Sequence, residues 1–216
     1  MASNESKYVK HNLPHIRQRF NWDCGIACIL MLISEQQRNE FLEGFKRICL
    51  EEGFGKSTWT IDLCYLLKRF NIKHRMYTSI QAANNRTLGE EVKDRVWNRF
   101  RNASYNGISV VEGALSTKQL ITHVVTTGPA IALVDAALLS CDWCKHNKMA
   151  SEFRRIFGGN YQGHYIVAVG WFDGKLLYHN PARQHSLCAT TPKRLHAARL
   201  APGTDYDLIL VYNYKK

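Results

Sequence analysis

The order of patterns along the chain predicts an α+β fold, with a helical N-terminal part packed on a C-terminal antiparallel sheet. Three observations carry this. Cys24-Gly25 opens the run Ile26 to Ile33, which is apolar all round and so reads as a buried helix. Helical patterns then dominate as far as Thr126. From His164 the pattern becomes strand, turn, strand, with Asp173-Gly174 as the hairpin signal. Helices first and a hairpin sheet afterwards mark an α+β protein rather than a doubly wound one.

The elements follow in order. A helix is expected from Cys24 and a second over 37–50. Ser57 or Thr58 can cap a third, whose apolar face is Ile61, Leu63, Cys64, Leu66, Leu67 and Phe70. Ile72 to Thr78 reads as a strand. Leu88 to Arg101 reads as a basic amphipathic helix with Val92, Val96, Trp97 and Phe100 on its apolar side. Ile108 to Val111 is a short strand, and Ser116 caps a helix that Gly128-Pro129 ends. Ala130 to Val134 is a buried strand. The hairpin strands are His164 to Trp171 and Leu176 to Asn180, stopped by Pro181. Thr190 or Thr191 opens a short helix, and Asp207 to Tyr214 is the last strand. Residues 1–12 are polar and predict a frayed N-terminal arm, which leaves 13–216 as a single domain with long loops over 80–90 and 141–163.

Composition narrows the class. Of 216 residues, 45% are hydrophobic and 22% charged, enough to bury a core and too apolar for a disordered chain. The first residues have no apolar signal region, and the longest apolar run is too short to span a bilayer. An intracellular protein is therefore expected, cytoplasmic or nuclear, with no membrane partner. Thiols stay reduced there, so the seven cysteines do not read as a disulfide framework. Lys and Arg number 29 against 18 acids, a net charge of +11. No nucleic-acid-binding motif accompanies them, so the surplus points to an acidic peptide or protein substrate rather than to nucleic acid.

One constellation carries chemistry. Cys24 is expected at a helix N-terminus, where the helix dipole favours a thiolate, and Gly25 beside it leaves room for a substrate backbone. His164 opens a strand, and its separation from Cys24 falls in the range of about 130–150 residues seen for papain-type pairs. Asn180 ends the returning strand and can orient the imidazole. Gln18 can donate to an oxyanion together with the Cys24 backbone N–H. Cys24 would attack and His164 would carry the proton, acting on a peptide or isopeptide bond without a cofactor.

The run Gln18-Arg19-Phe20-Asn21-Trp22-Asp23-Cys24-Gly25-Ile26-Ala27-Cys28 resembles the start of bacteriocin-processing, C39-type peptidase domains. Gly163-His164-Tyr165-Ile166-Val167 resembles their histidine block, and His179-Asn180-Pro181 their Asp-Pro block, with Asn180 in place of Asp. Nearly the whole chain is similar to the eukaryotic guanylyl cyclase domain-containing protein 1 family. Trp22-Asp23-Cys24-Gly25, Trp59-Thr60-Ile61-Asp62-Leu63, Cys141-Asp142-Trp143-Cys144, Tyr161-Gln162-Gly163-His164 and Asn180-Pro181-Ala182 carry that likeness. The resemblance implies a papain-like cysteine-protease fold. It also implies an activity, magnesium-dependent conversion of GTP to cyclic GMP and diphosphate. The residues show no Walker A run and no Gly-rich phosphate loop, and Asp62, Asp135, Asp142 and Asp173 are scattered. A thiol hydrolase is therefore the first expectation, a guanylyl cyclase the alternative, and a non-catalytic adaptor on the same fold the third.

A second constellation is Cys141-Asp142-Trp143-Cys144-Lys145-His146. Its CxxC spacing supplies half a zinc site, with His146 as a further ligand and Cys188 or His185 far along the chain. Redox chemistry, or two loop cysteines with no ligand, are the other readings. Cys28, Cys49 and Cys64 read as core packing, and Cys188 has no assigned role.

Overall fold

A computed structural model of the chain describes residues 8–54, 57–79, 90–144, 147, 149–152 and 159–212. The elements are β1 (Val9–Lys10), α1 (Cys24–Leu32), α2 (Glu35–Glu43), α3 (Phe45–Glu51), α4 (Thr60–Arg69), β2 (His74–Thr78), α5 (Glu90–Asn102), β3 (Ser109–Glu112), α6 (Thr117–Thr126), β4 (Ala130–Asp135), β5 (Gly163–Phe172), β6 (Lys175–His179), β7 (Cys188–Thr190), α7 (Pro192–Arg199) and β8 (Leu208–Val211). The eight strands among the described residues form one sheet, in the order β3-β2-β8-β4-β5-β6-β7, with β1 paired to β5. The α+β class holds. The sheet is not confined to the C-terminal part, however, and it is not purely antiparallel. β1, β2 and β3 join it from earlier in the chain, and β2 runs parallel to β3.

Strand alternation explains why β4 and β5 are apolar on both faces. Ile131, Leu133, Tyr165, Val167 and Val169 pack toward α1 and α4, against residues such as Ile29 and Leu63. Ala132, Val134, Ile166 and Ala168 point the other way, toward Leu120 of α6 and Leu195 of α7. A sheet covered on both sides has no solvent face to keep polar.

Several local expectations change. Val9 and Lys10 pair with Trp171 and Gly170, so the part of the expected arm from Val9 onward adds to the sheet; residues 1–7 lie outside the described residues. A Cβ on Gly170 would come within 2.1 Å of the Val9 carbonyl oxygen, so only glycine admits this strand. The helix expected over 37–50 is two helices. Ser34 caps the first, its hydroxyl accepting from the Gln37 N–H at 3.2 Å, and Gly44 separates it from the second. Ser116 caps α6 as expected, accepting from the Gln119 N–H. The start of α4 is held by neither Ser57 nor Thr58. There the Asp62 carboxylate accepts from the Trp59 N–H at 2.9 Å.

Asp62 is fully buried and does more than cap. It also accepts from Arg95 at 3.0 Å and Arg99 at 2.8 Å, and Arg99 reaches Glu52 at 2.7 Å. Two arginines of the basic helix α5 are thus spent inside the molecule rather than on a solvated face. No helix among the described residues is long and apolar enough to cross a membrane.

His179, at the end of β6, is 2% exposed, and its Nδ1 donates to the Ser186 carbonyl. Burial pushes its pKa down to about 4 against the Ser186 bond, and the nearby His15 and Lys10 push the same way. The folded state therefore resists a proton that the unfolded chain accepts near pH 6.5. This contribution is complete above about pH 6.5 and is lost as the pH falls toward 4, a loss of about 3 kcal/mol. Denaturant titrations of His179→Gln should show a flatter acid limb than the wild type across that window. An unchanged limb would rule this group out as its source. His74 and His123 are lowered by burial too and act with the same sign.

Candidate functional site

The segment before α1 is folded by Asp23. Its carboxylate accepts from the backbone N–H of Arg19 at 3.1 Å and of Phe20 at 2.9 Å, so it makes no side-chain cap on the helix it precedes. The arch delivers Cys24 to the first position of α1, 6% exposed. The expected thiolate is not what this setting favours. Burial raises the Cys24 pKa and Asp23 adds to it, against backbone N–H groups of Tyr165 and Gly25 that pull it down. Desolvation outweighs the helix end. Gly25 also serves packing rather than substrate approach. A Cβ there would meet the methyl tips of Leu63 at 2.9 Å and the Tyr165 ring at 3.1 Å, so glycine lets α1 lie this close to α4 and β5 without those side chains shifting.

His164 and Asn180 meet across β5 and the end of β6. His164 Nε2 lies 2.9 Å from Asn180 Oδ1. The same oxygen accepts from the Ala182 N–H at 3.0 Å, which assigns it as the amide oxygen. His164 Nε2 is therefore the donor in this bond. The Asn180 carbonyl accepts from His15 at 2.9 Å. Gln18 is tied to this corner by its backbone N–H, which donates to the Pro181 carbonyl at 3.0 Å. Its side-chain amide donates to the Phe20 carbonyl at 2.8 Å, and its Oε1 is buried with no hydrogen-bond partner among the described residues. Cys24, beside the Tyr165 backbone, thus sits at the same end of β5 as His164, Asn180 and Gln18.

Two clefts share a wall here. One, of about 280 Å³, opens on Cys24 between Trp22, Trp59, Tyr161 and Tyr165. The other, of about 510 Å³, lies between α5 and the β3 edge of the sheet. Trp59, Trp97 and Phe100 give it aromatic walls, and Arg101, Glu112 and Asp205 bring charge to it. Trp59 and Asp207 line both. A hydrogen-bond chain runs along the shared wall: Tyr165 O–H donates to Thr60 Oγ1 at 2.8 Å, and the Thr60 hydroxyl donates to Asp207. Sequence reasoning missed the larger cleft, because its residues come from the start of α4, from α5, from β3 and from the segment before β8 and share no motif.

The thiol cluster lies elsewhere, along the outer edge of the sheet. Cys141, Cys144 and Cys188 place their sulfurs within 4.8 Å of one another. Hydrogen bonding from Cys188 and from backbone N–H groups pulls the Cys141 thiol well down, while Cys188 moves up. Cys188 is the neighbour that sequence reasoning left unassigned, and His146 lies outside the described residues. Cys28 and Cys64 are fully buried on α1 and α4, as core packing requires.

Comparison with known proteins places the chain. The family model described as Guanylylate cyclase matches residues 13–211. A protein of Arabidopsis thaliana named Guanylyl cyclase 1 is 32% identical over 215 residues, which cover 93% of this chain and 75% of that protein. The chain belongs to the guanylylate cyclase family that this model describes.

Proposed function

We propose that the protein is a guanylyl cyclase, converting GTP to cyclic GMP and diphosphate. The identity shared with Guanylyl cyclase 1 along 93% of the chain carries this reading. The 510 Å³ cleft supports it, since its size suits a nucleotide and its walls suit the parts of one. Trp59 and Trp97 offer faces for the purine, and Arg101 offers a cation for the triphosphate. The 3′-hydroxyl oxygen would bond to the α-phosphorus while the bond to the diphosphate oxygen breaks. Its proton would pass to Glu112. Asp205 and Asp207 are the oxygen ligands that would hold magnesium, a hard cation that needs only one or two carboxylates beside phosphate oxygens. Bound there, magnesium would supply neutralisation of the triphosphate charge.

A second reading is supported by one specific observation, the 2.9 Å bond from His164 to Asn180. That is the orienting pair of a thiol hydrolase. With a protonated resting thiol, His164 would have to take the Cys24 proton as attack begins. The basic surface would favour an acidic peptide or protein substrate in the adjoining cleft.

One set of measurements tests both. Purified protein with magnesium and GTP is expected to form cyclic GMP above a heat-killed control, at a rate that Cys24→Ala leaves intact. No product above that control sinks the first reading. Iodoacetamide labelling of Cys24 that slows in His164→Ala would favour the second.

A further inference from the structure

We propose that Cys141, Cys144 and Cys188 form a zinc site that fastens the segment after β4 to the edge strand β7. The segment runs beside β7. The Asp142 N–H donates to the Ala189 carbonyl at 2.8 Å, and the Ala189 N–H donates back to Cys141 Sγ at 3.4 Å. Cys141 Sγ accepts a second N–H, from Cys144, at 3.4 Å. Two backbone donors on one sulfur, one of them three residues along a CxxC turn, are aimed at negative charge on that sulfur. A neutral core thiol needs neither.

Distances separate a metal site from a disulfide. Sulfurs at about 2.3 Å from a tetrahedral zinc ion lie about 3.8 Å from one another. Cys144 and Cys188 have their sulfurs 4.0 Å apart, and all three sulfurs lie within 4.8 Å. A disulfide needs about 2.05 Å and would leave the third thiol over. Thiolates are soft ligands, so they select zinc over magnesium or calcium. Cys141 and Cys188 are 1% exposed, while Cys144 is half-buried and gives the ion a way in. Asp142, between the two loop cysteines, does not compete for the ion. Its carboxylate is paired with Arg194 at 2.5 Å, with Lys175 at 4.0 Å. Each thiol that coordinates releases its proton to solvent, and a water or another donor completes the shell. This site stands apart from both catalytic readings.

The test uses the full chain, expressed with added zinc and purified under reductant without chelator. Elemental analysis should find about one zinc ion per chain. Cys144→Ser and Cys188→Ser should fall to background, while Cys49→Ser, on α3, should keep its zinc. Because a serine variant could fold poorly, wild-type protein stripped of metal and reloaded with cobalt supplies a second readout. It should show a thiolate-to-cobalt charge-transfer band and the intense visible bands of tetrahedral cobalt. Wild-type protein without stoichiometric zinc and without that band overturns the proposal. So does zinc retained in Cys188→Ser, or an intact mass showing a Cys144–Cys188 disulfide under reductant.

Discussion

Asp62→Ala is expected to destabilise the protein by about 3–5 kcal/mol, read as a fall in the denaturant midpoint with an unchanged slope. The carboxylate is fully buried and satisfies three groups at once: the Trp59 N–H at the start of α4, Arg95 and Arg99. Removing it orphans a helix-end donor and leaves two guanidinium groups without the carboxylate they share, with Glu52 the acid still paired to Arg99 among the described residues. Stacking of Arg99 over Tyr65 at 4.7 Å does not replace the lost charge. Asp62→Asn keeps an acceptor of the same shape and should fall between the wild type and the alanine variant. The triple change Asp62→Leu, Arg95→Met, Arg99→Met removes all three charges together. It should recover much of the loss, because a buried ion cluster is often no more stable than apolar residues of similar volume. A loss below about 1 kcal/mol in Asp62→Ala would mean that α4 and α5 are held by apolar packing alone.

This cluster also shows how far the sequence could be read. The apolar face of α4 was legible, and so was the amphipathic pattern of α5. That an aspartate inside the apolar stripe of one helix answers two arginines of the other was not, because the pairing depends on how the helices cross. Cys24, His164 and Asn180 were legible for the opposite reason. Each stands where an element begins or ends, and such positions can be found from local signals. The pKa of Cys24 was not, since burial and Asp23 depend on tertiary placement. Cys188 was lost because nothing near it in the chain predicts that β7 returns to the sheet edge beside Cys141. β1 was lost because two residues are too few to show a period, and its place depends on a glycine far along the chain.

Substitutions in the larger cleft should separate binding from chemistry if GTP occupies it. Trp97 is 41% exposed and lines the cleft, an arrangement that costs solvation unless something stacks on it. Base–aromatic stacking contributes about 1–3 kcal/mol. Trp97→Ala should therefore raise KM for GTP by about 10–100-fold, with a smaller change in kcat. Arg101 extends from the end of α5 into the same cleft. A cation placed where phosphate charge moves is worth most in the transition state, so Arg101→Ala should lower kcat by about 10²–10³-fold. Arg101→Lys should restore part of it, because charge is kept while the planar fork is lost. The fold predicts little collateral damage, since neither side chain belongs to the buried Asp62 cluster. The pattern matters more than any one value. A KM effect at Trp97 together with a kcat effect at Arg101, both absent in Cys24→Ala, assigns the chemistry to this cleft. Cyclic GMP formation that survives both substitutions but disappears in Cys24→Ala would move it to the neighbouring cleft, across the wall that Trp59 and Asp207 share.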